Sequence, residues 1–573
     1  MKKIVVRNIP KNIPSLHNDP LLHNIYASRG IVNALELRND LEYLLPFDQL
    51  KGLEKAVPLL SLALQDNWRV VVVGDFDTDG ATSTTLIILV LRTLGLKNIS
   101  YVIPNRFTHG YGLTTDLVML SAKNHPKLII TVDNGISSIE AVDLANSLNI
   151  KVLITDHHLQ GNELPNARAV INPNQKLDNF GSKALAGVGV VFYLMLALRS
   201  HLRQIGWFKT KGLPELNMVQ YLDLVALGTI ADVMALDRNN RILVANGIDR
   251  IRAGKCRPGI LAILKNAKRD YRKITSYDLG FVLAPRLNAA GRLDDMSLGV
   301  EILLADDYHA VYGMAQKLNA LNDERREIED KMLTHALKKL DELKITQESP
   351  WGICVFEESW HQGVLGILAA RLKDKFNRPV IAFSPVNEIE IKGSARSIEG
   401  IHILETIENI VKANPGLISR YGGHRMAAGL NVEKSNFELF SKLFDQEVDR
   451  QFSVQNLVKM IYSDGELSQE YLNIDTAELL QNSGPWGAEF AEPTFHGKFV
   501  VVKQVLLAGK HLKLYLRLPS GGQNLEAIYF NIGFALHRDT NFTEISIVYR
   551  IGVNDYNNKK VLQLIISEIL SYE

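Results

Sequence analysis

The sequence predicts a multidomain α/β protein with a parallel-sheet domain, a long connecting helix, a second α/β domain and a C-terminal β-barrel. In the first part of the chain, apolar strand patterns alternate with helical patterns, which is typical of a mostly parallel sheet. A long charged helical pattern follows, and short strand patterns separated by Gly, Pro and Asn residues end the chain. At 573 residues the chain is also too long for a single hydrophobic core.

The changes of pattern set the expected domain boundaries. The predicted parts are an N-terminal extension, a first α/β domain, a connecting helix, a second α/β domain and a barrel, at residues 1–65, 66–305, 306–345, 346–455 and 456–573. The connecting helix rests on the charged run at 323–327, which a solvated helix face would explain equally well.

The first α/β domain is organised around the strand that contains Val70–Val73. Four consecutive valines indicate a buried strand, because branching at Cβ disfavours a helix and no polar residue alternates with them. The same criteria give the neighbouring elements. The predicted strands cover 69–74, 99–103, 127–132 and 151–155, and the predicted helices cover 81–94, 115–123, 139–148 and 220–229.

The later domains are predicted from shorter patterns. The second α/β domain is expected to contain strands at 352–356 and 380–383 and a helix at 364–376. The barrel strands are predicted at 499–507, 511–518, 525–529, 545–551 and 561–566.

Three of the predicted strands end in aspartate or histidine residues. These residues are Asp75, Asp77, Asp79, Asp133, Asp156, His157 and His158. Ligands of an open parallel sheet bind just beyond the carboxyl ends of its strands, so we expect these side chains to converge. A single Asp at such a position is more often a helix N-cap, but three strands that all end this way make that explanation weak.

The convergent side chains match the needs of a site for two divalent cations. Such a site takes oxygen and imidazole ligands from several strands, and one carboxylate bridges the ions. The candidate ligands are Asp77, Asp79, Asp133, His157 and Asp232. These donors suit Mg²⁺ or Mn²⁺, and the histidine favours Mn²⁺. Asp232 is the weakest member, since Ala-Asp-Val would also fit an ordinary loop.

Composition excludes several classes of protein. The two cysteines, Cys256 and Cys354, have no metal-ligand spacing, which argues against a disulfide framework and fits a reducing cytosol. The first residues lack a sustained apolar run and a cleavage site, so we expect no signal peptide. The apolar stretch at 184–198 is shorter than the 18–20 or so residues that a bilayer requires, so we expect no membrane association and a cytoplasmic protein.

Local basic patches are expected to contact a polyanion, although the net charge is only +1. Nine Lys or Arg residues fall in 250–273, where a solvated surface is an equally good explanation. Other candidates lie either in a loop-like Pro/Gly context or in segments that combine glycine, hydroxyl and guanidinium groups, a mixture that suits phosphate binding. They are Arg286, Asn288, Arg292, Ser394, Arg396 and His424. Basic and aromatic residues also alternate in the barrel, as in folds that bind single strands.

Four ordered motifs match a known family. They are Gly74-Asp75-Phe76-Asp77-Thr78-Asp79-Gly80, Val132-Asp133-Asn134-Gly135, Asp156-His157-His158 and Gly228-Thr229-Ile230-Ala231-Asp232. In this order they resemble the motifs of the DHH phosphoesterase superfamily, and Gly422-Gly423-His424 resembles the signature of the DHH-associated domain. Within the superfamily, the segments 104–107, 284–292 and 360–364 and the OB-like tail make the chain similar to the bacterial single-strand-specific exonucleases. Thr78 stands where Ala is common in the family.

The resemblance implies a role for each candidate residue. Asp77, Asp79, Asp133, His157 and Asp232 would hold two ions, with Asp133 bridging them and Asp75 supporting the site or ligating through water. His158 would contact the scissile phosphate, and Asp156 would orient the histidines. Arg106, Ser394 and Arg396 would hold a terminal 5′ phosphate.

The resemblance also implies a function. The chain would digest single-stranded DNA from the 5′ end to mononucleotides during recombination and repair, as a monomer, with a single-strand-binding protein and a helicase as partners. A different DHH phosphoesterase, such as a nanoRNase or polyphosphatase, is an alternative, although those chains are typically shorter. A catalytically inactive repair scaffold is a second alternative, which loss of the motif acids would mark, but all of these acids are present.

Overall fold

The computed structural model describes residues 2–342, 350–452, 458–509, 511–530, 541–556 and 559–572. The chain forms two compact units. The smaller unit comprises Met1–Lys3, Arg292–Asp294 and Ala320–Ile461, and the larger unit comprises Ile4–Gly291, Asp295–Asn319 and Tyr462–Glu573.

The larger unit contains a five-stranded parallel sheet with the strand order β3-β2-β4-β5-β6. Its strands are β2 (Val70–Val73), β3 (Ile99–Val102), β4 (Leu128–Val132), β5 (Lys151–Thr155) and β6 (Ala169–Ile171), and β1 (Lys2–Val6) precedes them in the chain. The predicted parallel sheet is confirmed. The fifth strand was missed because three residues give no recognisable pattern. All four valines of β2 are buried, as expected of a central strand.

Helices before and between these strands, and a helical segment after them, complete this part of the larger unit. They are α1 (Pro20–Ser28), α2 (Leu53–Gln65), α3 (Thr78–Thr93), α4 (Thr115–Ala122), α5 (Ile139–Ser147), α6 (Gly187–Gln204), α7 (Trp207–Lys211), α8 (Leu222–Ala231), α9 (Arg238–Arg252), α10 (Pro258–Asn266), α11 (Ser276–Asp278), α12 (Ala284–Leu293) and α13 (Ser297–Leu304). A π-helix, Leu279–Leu283, joins α11 to α12. Pro285 contributes to this irregularity, because it has no N–H to donate to the preceding turn.

The predicted long helix is confirmed as α14 (Tyr308–Glu342). Residues 343–345 of the predicted helix lie outside the described residues. None of the described helices, α14 included, is both long enough and apolar enough to cross a bilayer.

The smaller unit contains a mixed sheet with the order β10-β11-β9-β8-β7, in which only β7 and β8 are parallel. Its elements are β7 (Ile353–Phe356), α15 (Leu365–Phe376), β8 (Val380–Pro385), β9 (Glu390–Arg396), α16 (Ile403–Ala413), β10 (Ile418–Gly423), β11 (Ala427–Glu433) and α17 (Phe437–Gln451). Buried aromatic residues from the sheet and α17, among them Phe383, Phe440 and Phe444, form its core. The second α/β domain is therefore confirmed, with three more strands than the sequence predicted.

The C-terminal strands form a closed barrel with the order β13-β14-β15-β17-β16, as predicted. After β12 (Lys459–Ser463) and α18 (Ile474–Asn482), the strands are β13 (Phe495–Leu507), β14 (His511–Leu518), β15 (Gly521–Tyr529), β16 (Glu544–Tyr556) and β17 (Lys559–Tyr572). Only β15 and β17 pair in parallel. Several strands are longer than predicted, because ladder hydrogen bonds continue beyond the apolar residues that marked each strand in the sequence.

Candidate metal centre and substrate-binding residues

The acidic and histidine side chains predicted from separate strand ends converge in the larger unit. Three groups each place one ligand atom per residue within 4.8 Å of the others. The groups are Asp133, His157 and His158; Asp79, His157 and Asp232; and Asp75, Asp77 and Asp133. Because Asp133 and His157 each occur in two groups, the three groups form one continuous cluster.

His157 lies at the centre of this cluster. Its Nε2 atom is 3.0 Å from Oδ1 of Asp133, 3.5 Å from Oδ2 of Asp232 and 3.9 Å from Oδ2 of Asp79. These carboxylates come from three different parts of the chain: the end of β4, the end of α8 and the first turn of α3. Asp232, the weakest candidate from sequence, thus belongs to the same cluster as the strand-end residues.

The first turn of α3 fixes two of the acids. Asp77 is the N-cap of the helix, and its Oδ1 accepts the backbone N–H of Gly80. Asp79 accepts the backbone N–H groups of Gly187 and Val188 at the start of α6, at 2.6 and 3.0 Å. Asp77 is therefore a helix N-cap, and this role is compatible with a ligand role, since the second carboxylate oxygen is not used by the cap.

The close approach of α6 to Asp133 depends on Gly187. A Cβ atom at this position would lie 2.7 Å from Cβ and 2.9 Å from Oδ1 of Asp133. Gly228, on α8, would similarly bring a Cβ atom to 2.7 Å from Oδ1 of Asp79. Sequence reasoning missed the role of Gly187, because nothing in its local pattern shows which side chain it faces.

Asp133 has a left-handed backbone, with φ of 63°, although it is not a glycine. This conformation is uncommon for non-glycine residues and occurs often at functional sites. The neighbouring Asn134 is fully buried and donates from Nδ2 to the carbonyl oxygens of Val73 and Val132, at the ends of β2 and β4. Asn134 therefore ties together the two strands that deliver the aspartates.

Asp156 organises both histidines. Its Oδ1 accepts the backbone N–H of His157 and of His158 and lies 2.7 Å from Nδ1 of His158, while Oδ2 accepts the N–H of Ile136. Burial by itself lowers the pKa of His158, but the hydrogen bond and the charge of Asp156 outweigh burial and raise that pKa to about 9. The contact with Asp156 therefore favours the cationic form of His158.

The pKa values of the buried carboxylates are also raised, which disfavours their charged forms. Burial, followed by the negative charge of Asp77, raises the pKa of Asp79 to about 7 and places that of Asp75 well above its ordinary value. Burial and the charge of Asp79 also raise the pKa of Asp133. Within the described part of the chain, Oδ1 of Asp75 is buried and accepts no hydrogen bond. Cations would offset this repulsion, so the donor set fits Mn²⁺ or Mg²⁺.

Two residues at the edge of the cluster extend it. The guanidinium group of Arg106 lies 3.9 Å from the centroid of the Phe76 ring, and its Nε donates to the carbonyl oxygen of Gly291. Tyr111, which sequence reasoning missed, places its hydroxyl 3.0 Å from the ring nitrogens of His158. The adjacent residues Gly110 and Gly112 both have positive φ. These two glycines were the sequence signal that could have indicated a turn at Tyr111.

The loop predicted around Arg286, Asn288 and Arg292 is wrong, because these residues lie on α12. Pro285 indicated a loop, but it lies in the first turn of α12, directly after the π-helix, where its missing N–H is tolerated. Arg286 is buried and donates to the carbonyl oxygen of Val282 and to Asn319. Oδ1 of Asn288 accepts both the N–H and the hydroxyl of Thr78. These contacts favour structural support of the site for Arg286 and Asn288.

In the smaller unit, Ser394 and Arg396 lie on β9 beside the first turn of α15. Nη1 of Arg396 contacts Oγ of Ser394 at 3.4 Å. A Cβ atom at Gly366 would lie 2.7 Å from Nη2 of Arg396 and 3.1 Å from that hydroxyl, so glycine allows both side chains to pack against the first turn of α15. His424 is exposed in the turn between β10 and β11, where Gly423 has φ of 152°.

At least three of the nine basic residues in the run at 250–273 lie beside acidic partners. Arg257 lies beside Asp223, Arg269 beside Asp278 and Lys273 beside Asp555. The run is therefore a weaker candidate for a polyanion surface than its composition indicated.

The barrel keeps its basic and aromatic character. Lys503 and Lys513 lie over the ring of Tyr515, and Phe530 is about half exposed, whereas Phe499 belongs to the barrel core. Lys510, another basic residue of this set, lies outside the described residues.

Comparison with known proteins identifies the family. The DHH family N-terminal domain matches residues 69–229, the DHHA1 domain matches 349–450, and the RecJ OB domain matches 463–568. The chain is 47% identical over 563 residues to the single-stranded-DNA-specific exonuclease RecJ of Escherichia coli K12, covering 98% of this chain and 97% of the relative. The chain belongs to the RecJ family.

Other RecJ proteins agree with this assignment. RecJ of Haemophilus influenzae Rd is 45% identical over 575 residues, covering 99% of each chain. The crystal structure of RecJ from Thermus thermophilus in complex with Mn²⁺ is 26% identical, with a TM-score of 0.80, and covers all of this chain and 80% of that one. A second structure of that RecJ, in complex with Mg²⁺, has a TM-score of 0.74, the same identity and coverage of 100% and 79%. Mn²⁺ and Mg²⁺ are the two ions that the sequence predicts.

Proposed function

We propose that this chain is a metal-dependent exonuclease specific for single-stranded DNA. It hydrolyses phosphodiester bonds from the 5′ end and releases 5′ mononucleotides, in DNA recombination and repair. The observation that carries the proposal is the convergence of Asp79, Asp133, His157 and Asp232 on one cluster. The close relatives named as single-stranded-DNA-specific exonucleases support the choice of substrate.

The proposed ligands of two divalent cations are the acids and histidine of the cluster. They are Asp75, Asp77, Asp79, Asp133, His157 and Asp232. When bound, such ions polarise the phosphoryl group and lower the pKa of water. We propose Asp133 as the bridging ligand, because it is shared by two of the three ligand groups and is held by a constrained left-handed backbone.

The proposed partner of the scissile phosphate is His158. Asp156 fixes its ring and favours its cationic form, and the hydroxyl of Tyr111 lies 3.0 Å from the ring nitrogens. A cationic imidazole donates a charge-assisted hydrogen bond to a phosphate oxygen, and that bond strengthens as negative charge develops there. Asp156 acts as a positioning residue, since its carboxylate is occupied by the histidines and by Ile136.

The proposed 5′ polarity rests on the pocket in the smaller unit. Ser394 and Arg396 offer a hydroxyl and a guanidinium beside the first turn of α15, where Gly366 lets both groups approach the helix backbone closely. Backbone N–H groups at a helix N-terminus also favour phosphate. We propose that these groups bind the terminal phosphate. We also propose that His424 contacts the substrate and that Arg106 contacts a phosphate at the metal centre.

The remaining assignments follow from the family and from composition. We propose that the domain boundaries are those expected from the sequence and that the barrel binds the single strand through its basic and aromatic groups. We further propose a cytoplasmic monomer that acts with a single-strand-binding protein and a helicase. Burial raises the pKa of both cysteine thiols to about 12, which disfavours reactive thiolates and is compatible with a reducing compartment.

The decisive experiment uses single-stranded and duplex DNA labelled at either end, with Mn²⁺, Mg²⁺ or chelator. We expect mononucleotides from the 5′ end of single strands only, and none with chelator. Hydrolysis confined to dinucleotides or polyphosphate would favour another DHH phosphoesterase. Binding of single strands without hydrolysis under any metal condition would favour an inactive scaffold.

A further inference from the structure

A buried ion pair joins the N-terminal extension to the segment that precedes the barrel. Arg29 and Asp464 form a two-pronged pair whose side chains are 2% and 3% exposed. Nε of Arg29 also donates to the carbonyl oxygen of Ala491 at 3.0 Å. Two charges are rarely buried together unless each finds several partners, and this pair does.

Asp464 is hydrogen-bonded to the residue that precedes the first barrel strand. Its Oδ2 accepts the backbone N–H of Thr494 at 2.9 Å, and its own N–H donates to the carbonyl oxygen of Thr494. The first barrel strand, β13, begins at the next residue, Phe495. Arg29 is thus connected to the start of the barrel through a single side chain.

Tyr26, in the last turn of α1 before Arg29, makes a second connection to the segment that precedes the barrel. Its hydroxyl donates to the carbonyl oxygen of Ser483 at 2.8 Å, and its ring stacks with Trp486 and Phe490, whose centroids lie 6.0 and 6.3 Å away. Tyr26 is 6% exposed, so these contacts are dry. The N-terminal extension therefore contacts residues at both ends of the loop at 483–494.

The same loop also contacts the part of the larger unit that carries the metal centre. Ala488 accepts the backbone N–H of Leu236, four residues beyond Asp232, and Trp486 accepts the hydroxyl of Ser276 at 2.6 Å. The loop is consequently held on one side by the extension and on the other by the metal-binding part.

We propose that Arg29 and Tyr26 are positioning residues that anchor the barrel, so that it can hold the distal part of a long strand while the strand's end lies at the metal centre. This inference rests on the proposed exonuclease function. Two binding regions within one compact unit act together, because binding at one raises the effective concentration of the strand at the other. Loosening the barrel removes this gain only for strands long enough to reach both regions.

The test compares strand lengths with the full-length chain. Steady-state kinetics are measured with Mn²⁺ on 5′-phosphorylated strands of about 40 and about four nucleotides, the latter near the smallest site size of an OB fold. For Asp464→Asn and Arg29→Met we expect KM for the long strand to rise about tenfold or more, with kcat unchanged. Both constants for the short strand should stay at wild-type values, and Arg29→Lys should restore part of the long-strand KM.

Further variants separate anchoring from general destabilisation. Tyr26→Phe keeps the ring stack, loses only the hydrogen bond to Ser483, and carries the test if a charge variant fails to fold. Arg203→Met removes an exposed pair with Glu215 in the same unit and should match wild type on both strands. Equal losses on long and short strands, or an unchanged long-strand KM, would overturn the anchoring role. A wild-type chain inactive on single strands of both lengths would instead refute the proposed function.

Discussion

Oδ1 of Asp156 lies 2.7 Å from Nδ1 of His158, and the same oxygen accepts the backbone N–H of that histidine. A side chain and its own backbone are thus held by one carboxylate oxygen. This arrangement fixes the ring orientation, assigns a proton to Nδ1 and raises the pKa of the imidazole above neutrality, against the effect of burial.

Replacing Asp156 with Asn should therefore lower activity through His158. The amide carries no charge, so the pKa of His158 should fall from about 9 towards the ordinary value of about 6.5. We expect kcat near pH 8 to drop about 10–100-fold. The alkaline limb of the kcat profile should move to lower pH, and an unmoved limb would contradict this role. Asp143→Asn, an exposed change on α5, is the matched control.

Asp133→Asn should abolish cleavage while single-strand binding survives. The substitution keeps the size of the side chain but removes the charge that two of the ligand groups share. We expect a loss of at least about 10²-fold in kcat. Gel-shift or fluorescence-anisotropy titrations with single strands should give a Kd near that of wild type. Retained turnover by the purified variant would refute the bridging assignment.

Metal stabilisation should depend on pH. Burial and the charge of Asp77 raise the pKa of Asp79 to about 7, so its protonated form contributes stability that is complete below about pH 4 and is lost as pH rises through about 7. Cation binding must displace these protons and is therefore weaker in acid. We expect Mn²⁺, at a fixed concentration about 100 times its Kd at pH 7.5, to raise Tm at that pH by about 3 °C.

Thermal melts with Mn²⁺ and with chelator check this prediction. The difference between the two Tm values should be smaller near pH 5.5 than near pH 7.5. An equal or larger difference in acid would mean that the buried carboxylates are not the ligands. Asp133→Asn, which lacks one ligand charge, should show a smaller difference at both pH values.

Arg396→Ala should weaken the preference for a 5′-phosphorylated end. A charged hydrogen-bonding partner contributes about 1.5–3 kcal/mol, so the ratio of kcat/KM for phosphorylated and hydroxyl ends should fall about tenfold or more. Gly366→Ala should act in the same direction, since its Cβ would lie 2.7 Å from Arg396 Nη2. Arg420→Ala, at an exposed position on β10, serves as the control. An unchanged ratio in both pocket variants would remove this pocket from the account of polarity.

Local sequence was a good guide wherever one pattern decided the outcome. The buried valines of β2, the acids beyond it and the long polar helix α14 all appear where the periodicity placed them. Such elements are specified by the residues within them. The errors at α12 and β6 arose where the local signal was ambiguous or short, because Pro285 resembles a loop residue and β6 has only three residues.

The sequence by itself determined the fold class, the strand-end acids and the family motifs, because these depend on neighbours within a few residues. Only the tertiary structure decided that Asp232 joins His157, that Gly187 and Gly366 pack closely against Asp133 and Arg396, and that Arg29 meets Asp464. Each of these is a contact between segments far apart in the chain. The physical reason is that such contacts depend on how elements pack, and no local periodicity encodes which distant side chain a residue will face.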